Sequence, residues 1–192
     1  MFAKRPVILA VLCLVSFVGD ASAQRGGRSM EFQRPDTPLT FDSQELGLAF
    51  AVPEGLRLYT PAVPGRYKSL LGEGRFMYLE NPAMRSASVT AKSSANVTEA
   101  ELKSYKDILD TNPPQAKLEG FKKHSVRFIK IGKQADKDAL EFVYEAGPSM
   151  IRQIVFIHNG KGVTFTCTSL QAQFGAAETD MFKPLFSRLE FR

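Results

Sequence analysis

The alternation of apolar and polar residues between Met150 and Arg192 sets the frame for the rest of the chain. In the segment Ile151 to His158, Ile154 and Phe156 fall on one face of an extended chain and Val155 and Ile157 on the other. A strand that is apolar on both faces is covered on both faces. Asn159-Gly160 follows, the dipeptide that a two-residue hairpin turn favours because both positions accept positive φ. Gly162 offers room for a bulge. Beyond it, Val163, Phe165 and Cys167 alternate with Thr164, Thr166 and Thr168, which predicts a second strand with one partly buried threonine face. Phe182, Leu185, Phe186 and Leu189 then recur at helical spacing and predict an amphipathic helix ending near Phe191. Thr179 or Asp180 is the candidate N-cap. A start there puts Pro184 in the first turn, where a missing N–H costs least. A start as early as Ala172 makes Pro184 a kink.

Upstream, the same period of two continues. Leu46, Leu48, Phe50 and Val52 share one face of a strand over Phe41 to Pro53, and Pro53-Glu-Gly55 turns the chain. Leu56 to Tyr59 reads as a short strand, Tyr67 to Leu71 as a turn of helix, and Arg75 to Leu79 and Ser86 to Ala91 as further strands. The period changes over Val97 to Asp110, where Leu102, Tyr105, Ile108 and Leu109 mark one helical stripe. Thr98 and Glu101 stand at capping-box spacing, and Asn112-Pro113-Pro114 stops the helix. Strands over His124 to Gly132 and Ala139 to Glu145 complete the set, with Leu140, Phe142 and Tyr144 on one face. Short connections between consecutive strands imply antiparallel neighbours. The pattern therefore predicts an α+β fold: a single antiparallel sheet of six or seven strands with helices on both faces, a three-layer α/β/α sandwich.

The N-terminal residues follow a different rule. Met1-Phe-Ala-Lys4-Arg5, an apolar run from Val7 to Val18 and Ala21-Ser-Ala23 together form a secretory signal peptide over residues 1–23. The apolar run is shorter than a membrane span. Residues 24–38 are rich in Gly, Arg and Pro and read as a flexible lead, leaving 39–192 as one folded domain. Export leads to a periplasmic or extracellular protein with no transmembrane segment after cleavage. The net charge of +5 over the 192 residues favours solubility and says little about the fold. Beyond Cys13 in the signal sequence, Cys167 is the one cysteine, so no internal disulfide is available, and its mid-strand position marks a buried thiol.

At this point the strand-and-helix order is similar to that of the PsbP-like family, the Mog-PsbP-type fold with its DcrB-like and LpqN-like exported members. The similarity rests on the exported start, on Leu48-Ala-Phe-Ala-Val-Pro53, on the closing hairpin, and on Met181-Phe-Lys-Pro-Leu-Phe-Ser-Arg-Leu-Glu-Phe191. The resemblance implies a non-enzymatic protein that docks on a partner or binds a lipid or small ligand.

Candidate chemistry changes this picture little. Neither His124 nor His158 has an acidic or cysteine neighbour at ligand spacing, and no nucleophile elbow, phosphate loop or zinc motif is present. No catalytic, cofactor-binding or metal-binding residue is therefore expected. The one charge feature is the basic run from Lys117 to Lys137, within which Lys122, Lys123, Arg127 and Lys130 form a candidate patch for an anionic partner. Basic and aromatic residues do not interleave as in nucleic-acid binding, so no nucleic-acid partner is expected. Three functions are weighed: a docking module for another envelope protein; a carrier of a lipid or small apolar ligand, for whose pocket a chain with fifteen phenylalanines has enough aromatic lining; and, weakest, a hydrolase, which needs polar side chains converging in a pocket.

Overall fold

In the computed structural model, residues 39–71 and 74–192 are described; the signal peptide expected over residues 1–23 and the lead expected over 24–38 lie outside them. The closing hairpin is the longest pairing. β8 (Ser149–His158) and β9 (Lys161–Leu170) run in unbroken register from Ser149↔Leu170 to His158↔Lys161. Asn159 and Gly160 take φ of 50° and 71°, the positive values that their sequence predicted. Gly162 forms no bulge; it pairs in register with Ile157 and Ser94. Its role is close approach, since a Cβ there would lie 2.7 Å from Val97 Cγ2.

Five more strands join this hairpin: β3 (Arg57–Tyr59), β4 (Arg75–Glu80), β5 (Ser88–Ala95), β6 (Lys122–Ile131) and β7 (Lys137–Ala146). The order is β3-β4-β5-β9-β8-β7-β6, with every neighbouring pair antiparallel. Helix α1 (Glu99–Thr111) carries the chain from β5 to β6. It starts on the predicted capping box: Glu101 N donates to Thr98 Oγ1 (3.3 Å), and Thr98 N donates to Glu101 Oε2 (2.8 Å). Leu102, Tyr105 and Leu109 are buried, whereas Ile108 faces outward at 47% exposure. α1 touches β6, β7 and β8. Register places Leu140 beside Val155, Phe142 beside Gln153 and Tyr144 beside Ile151 on one face of the sheet. Ile154, Phe156, Phe165 and Cys167 belong to the other face, in a buried cluster with Met181, Phe182, Leu185, Phe186 and Leu189.

Three expectations change. The first is the single sheet, because the described strands form two. Phe41 to Pro53 is a hairpin, with β1 (Thr40–Ser43) paired to β2 (Leu48–Ala51) across a turn at Gly47, whose φ is +63°. Phe41 and Phe50 stack across it with ring centroids 5.1 Å apart. The second is the chain end. The helix stops at Ser187, and β10 (Glu190–Phe191) pairs with β2 to give a separate three-stranded sheet. The third is the helix start. The helix begins well before Thr179 and Asp180, as α2 (Phe174–Ala177), and continues through a π-helical segment (Glu178–Phe182) into α3 (Lys183–Ser187). Widening one turn just before Pro184 leaves room for its ring and absorbs its missing N–H, so the helix continues without a break. Among the described residues, no helix is long and apolar enough to cross a membrane.

Candidate functional site

Lys122, Lys123, Arg127 and Lys130 all lie on β6, one of the two edge strands of the large sheet. Opposed residues of paired strands share a face. Lys122 opposes Glu145 and Arg127 opposes Glu141, while Lys123 and Lys130 oppose Tyr144 and Asp138 on the other face. The strand therefore carries its four cations on two faces along one edge. Each has a partner: Lys122 is 3.6 Å from Glu145, Lys130 is 2.9 Å from Asp138, Arg127 Nε is 2.6 Å from Glu141 Oε2, and Lys123 Nζ donates to the Asp110 carbonyl at 2.5 Å. His124 Nε2 lies 2.5 Å from Glu145 Oε1; this hydrogen bond, with Lys122 beside it, holds the Glu145 carboxyl below its usual range. Phe128 stands among these charges at 41% exposure.

Arg127 also enters a buried network. Glu141, whose side chain is 3% exposed, accepts from Arg127 and, through Oε1, from Arg152 Nη2 at 2.7 Å. Arg152 Nη1 donates to Glu178 at the start of the π-helical segment, 2.7 Å from Oε2. Its guanidinium lies 5.6 Å from the Phe186 ring centroid. The chain of charges ties β6 and β7 to β8 and the terminal helix. Cys167 is fully buried opposite Arg152, and burial pushes its thiol well above the ordinary cysteine value, the opposite of what a nucleophile needs.

A second polar cluster has Glu80 at its centre. β3 and β4 pair Arg57 with Glu80 and Tyr59 with Tyr78. The 3₁₀ turn Gly65–Tyr67 brings Arg66 and Tyr67 over the same strand end. Gly65 takes φ +49°, and a Cβ there would stand 2.9 Å from the Tyr59 ring, so glycine suits this crossing. The Glu80 side chain is 9% exposed and both its oxygens are occupied. Oε1 accepts from Tyr59 (3.0 Å) and Arg66 Nη2 (2.8 Å), and Oε2 from Arg66 Nη2 (2.7 Å) and the Tyr67 hydroxyl. Burial alone would push the Glu80 carboxyl up; the bonds from Tyr67, Arg66 and Tyr59 outweigh it and hold the carboxyl below its usual range. Burial first, and the bond to Glu80 second, push the Tyr67 and Tyr59 phenols upward, so both remain donors at neutral pH. Tyr67 stacks on Tyr78 at 4.1 Å, and Arg66 lies 4.9 Å from the Tyr67 ring centroid. Beside this cluster opens a cleft of about 540 Å³ lined by Arg57, Arg66, Tyr67, Glu80, Asn81, Pro82 and Arg85. Sequence reasoning missed it, because its residues come from separate short segments. The available signal was three of the five tyrosines, Tyr59, Tyr67 and Tyr78, falling close together.

His158 stands apart from both clusters. His158 Nε2 lies 3.1 Å from both the Gly47 and Arg192 carbonyls and ties the hairpin end to the small sheet. Among the described residues, no group of three or more His, Cys, Asp or Glu side chains is placed to hold a metal ion.

No protein-family model matches the chain, and no curated protein is similar to it in sequence. Solved structures do match in shape. Cyanobacterial PsbP (CyanoP) from Synechocystis sp. PCC 6803 superposes with a TM-score of 0.56 at 14% identity, covering 87% of this chain and 98% of its own. The Ran-binding protein Mog1p from Saccharomyces cerevisiae follows at 0.49 and 7% identity, covering 81% and 95%. LpqN of Mycobacterium tuberculosis, described as involved in cell envelope biogenesis, follows at 0.46 and 11%, covering 80% and 84%. The fold is PsbP-like on the strength of the first match, as the resemblance implied. At these identities the likeness speaks for the fold alone.

Proposed function

We propose that this protein is an exported, non-catalytic module of the cell envelope that docks another protein along the edge of its large sheet. The observation that carries the reading is β6. It is ten residues long, it ends the sheet, and no described strand pairs with its outer edge. Such an edge can accept an extended segment by main-chain hydrogen bonding, with Phe128 as an apolar anchor and Lys122, Lys123, Arg127 and Lys130 selecting an acidic partner. The basic N-terminal run and Ala21-Ser-Ala23 support export. The saturated carboxylates Glu80 and Glu141 and the buried thiol of Cys167 support a structural rather than a reactive role for these groups. We read the large sheet as the middle layer of an α/β/α sandwich, with α1 on the Phe142 face and the terminal helix on the Phe156 face. Burial on both faces of β8 supports that reading.

A carrier of apolar ligands has less behind it. Phe50, Phe142, Phe156, Phe165 and Phe182 are fully buried in the core, and the cleft described above is polar. To test docking, a photo-crosslinking residue is placed at Phe128 and, as a control, at exposed Val63. In cells of the native host, position 128 is expected to give a discrete protein adduct that position 63 does not. Reversing Lys122 and Lys130 to glutamate should weaken that adduct. Equal adducts from both positions, or none from 128, would overturn the proposal.

A further inference from the structure

We infer that the cleft between β3, β4 and the loop after β4 is a binding site for a phosphate group, carried by a small phosphomonoester or a lipid headgroup. Arg57, Arg66 and Arg85 line it with one carboxylate, Glu80. Glu80 is opposed to Arg66 in a close ion pair (2.7 Å). Arg57 and Arg85 form no ion pair with any described residue, and both are exposed. The walls therefore carry two guanidinium charges in excess, matching a phosphomonoester, whose charge near neutral pH is about −1.5 to −2. Guanidinium forks fit phosphate oxygens in pairs, and arginine is favoured wherever such planar recognition matters.

One of the cations is pre-positioned, and the other two stand on backbone that the fold fixes. Arg66 reaches Glu80 only through Nη2, lies over the Tyr67 ring, and still has a side chain 63% exposed. Glu80 thus orients Arg66 without covering it. The β3 register places the Arg57 backbone opposite Glu80, with its exposed side chain lining the cleft. Arg85 rides on a closed loop in which Asn81 Oδ1 accepts from Ala83 N (3.0 Å) and Met84 N (3.2 Å), and Ala87 N donates to Met84 O (2.8 Å). A volume of about 540 Å³ is within the range of small-ligand sites. The site is on the opposite side of the sheet order from β6 and is independent of the docking proposal.

The test titrates the protein with inorganic phosphate and then glycerol 3-phosphate, read by amide chemical shifts. In parallel, sedimentation is measured with vesicles of phosphatidylcholine with and without phosphatidic acid. Shifts are expected to centre on β3, Glu80 and the loop 81–87. The double substitution Arg57→Gln with Arg85→Gln changes two exposed side chains, and should weaken phosphate binding about tenfold or more while leaving the unfolding midpoint in place. Loss of vesicle binding in that variant identifies a headgroup; soluble binding without vesicle binding identifies a free phosphomonoester. Absence of saturable shifts, or unchanged affinity in the double variant, would overturn the inference.

Discussion

At the scale of single residues, Glu80 shows what burial does to a charge. A carboxylate this enclosed is stable only because four hydrogen bonds from Tyr59, Arg66 and Tyr67 replace its water. Its folded pKa is lowered, so the stabilisation is fully present above the unfolded carboxylate value of about 4.3 and is lost as pH falls through the folded one. Glu80→Gln should therefore lower stability at neutral pH by about 2 kcal/mol. In urea denaturation the gap to the wild-type chain should narrow as the pH is taken below that range. A pH-independent gap would assign the titration elsewhere. Nothing adjacent to Glu80 in sequence announces this role, because its partners lie between 13 and 21 residues away. The thiol of Cys167 is the contrasting case. Alternation along one strand was enough to place it inside, and it is fully buried.

At the scale of elements, local rules decide most boundaries. α1 begins where Thr98 and Glu101 cap each other, three residues apart and independent of the rest of the fold. Thr98→Ala should cost about 1 kcal/mol in chemical denaturation, and Thr98→Ser much less. The terminal helix is where local rules fall short. The Phe182–Leu189 stripe was legible, but its start was not, because the capping preferences of Thr179 and Asp180 are overridden by packing. Ala177, Met181 and Phe182 are fully buried against the sheet and carry helix through the π segment. Thr179 uses its hydroxyl to donate to the Gly175 carbonyl (3.1 Å) within the helix. The two short strands β1 and β2 were read as one for a related reason: the apolar alternation over Leu46, Leu48, Phe50 and Val52 begins inside the turn, and hides the turn marks, Gly47 and the Ser43 hydroxyl that accepts from Leu46 N (3.3 Å).

At the scale of the whole molecule, the join between the two sheets is the feature most exposed to single changes. His158 Nε2, at the end of β8, lies 3.1 Å from both the Gly47 and Arg192 carbonyls, and past the end of β6 Lys133 N donates to Leu189 O (2.8 Å) and Gly132 N to Phe186 O (3.1 Å). Phe191 packs edge-on against Phe156 and His158. Gly47 stands at this junction. An added Cβ would lie 2.5 Å from Asn159 Nδ2 and 2.6 Å from Arg192 O, on a backbone that side chains rarely adopt. Gly47→Ala should destabilise the protein by about 2–4 kcal/mol. Hydrogen exchange should rise first in β1, β2 and β10. Uniformly unchanged exchange would show that the small sheet is not held through this residue.

Sequence alone determined the period of each long segment, the Asn159-Gly160 turn, the capped α1, the inward face of Cys167 and the antiparallel pairing of strands joined by short connections. These follow from interactions within a few residues, or from a face that must be apolar wherever the strand ends up. Tertiary structure decided the rest: the second sheet, the π segment before Pro184, the partners of the basic residues on β6, and the arginine cleft around Glu80. Each of these depends on segments that meet only after folding. The free energy of an ion pair or a buried hydroxyl is set by what stands opposite it in space, which no local pattern encodes.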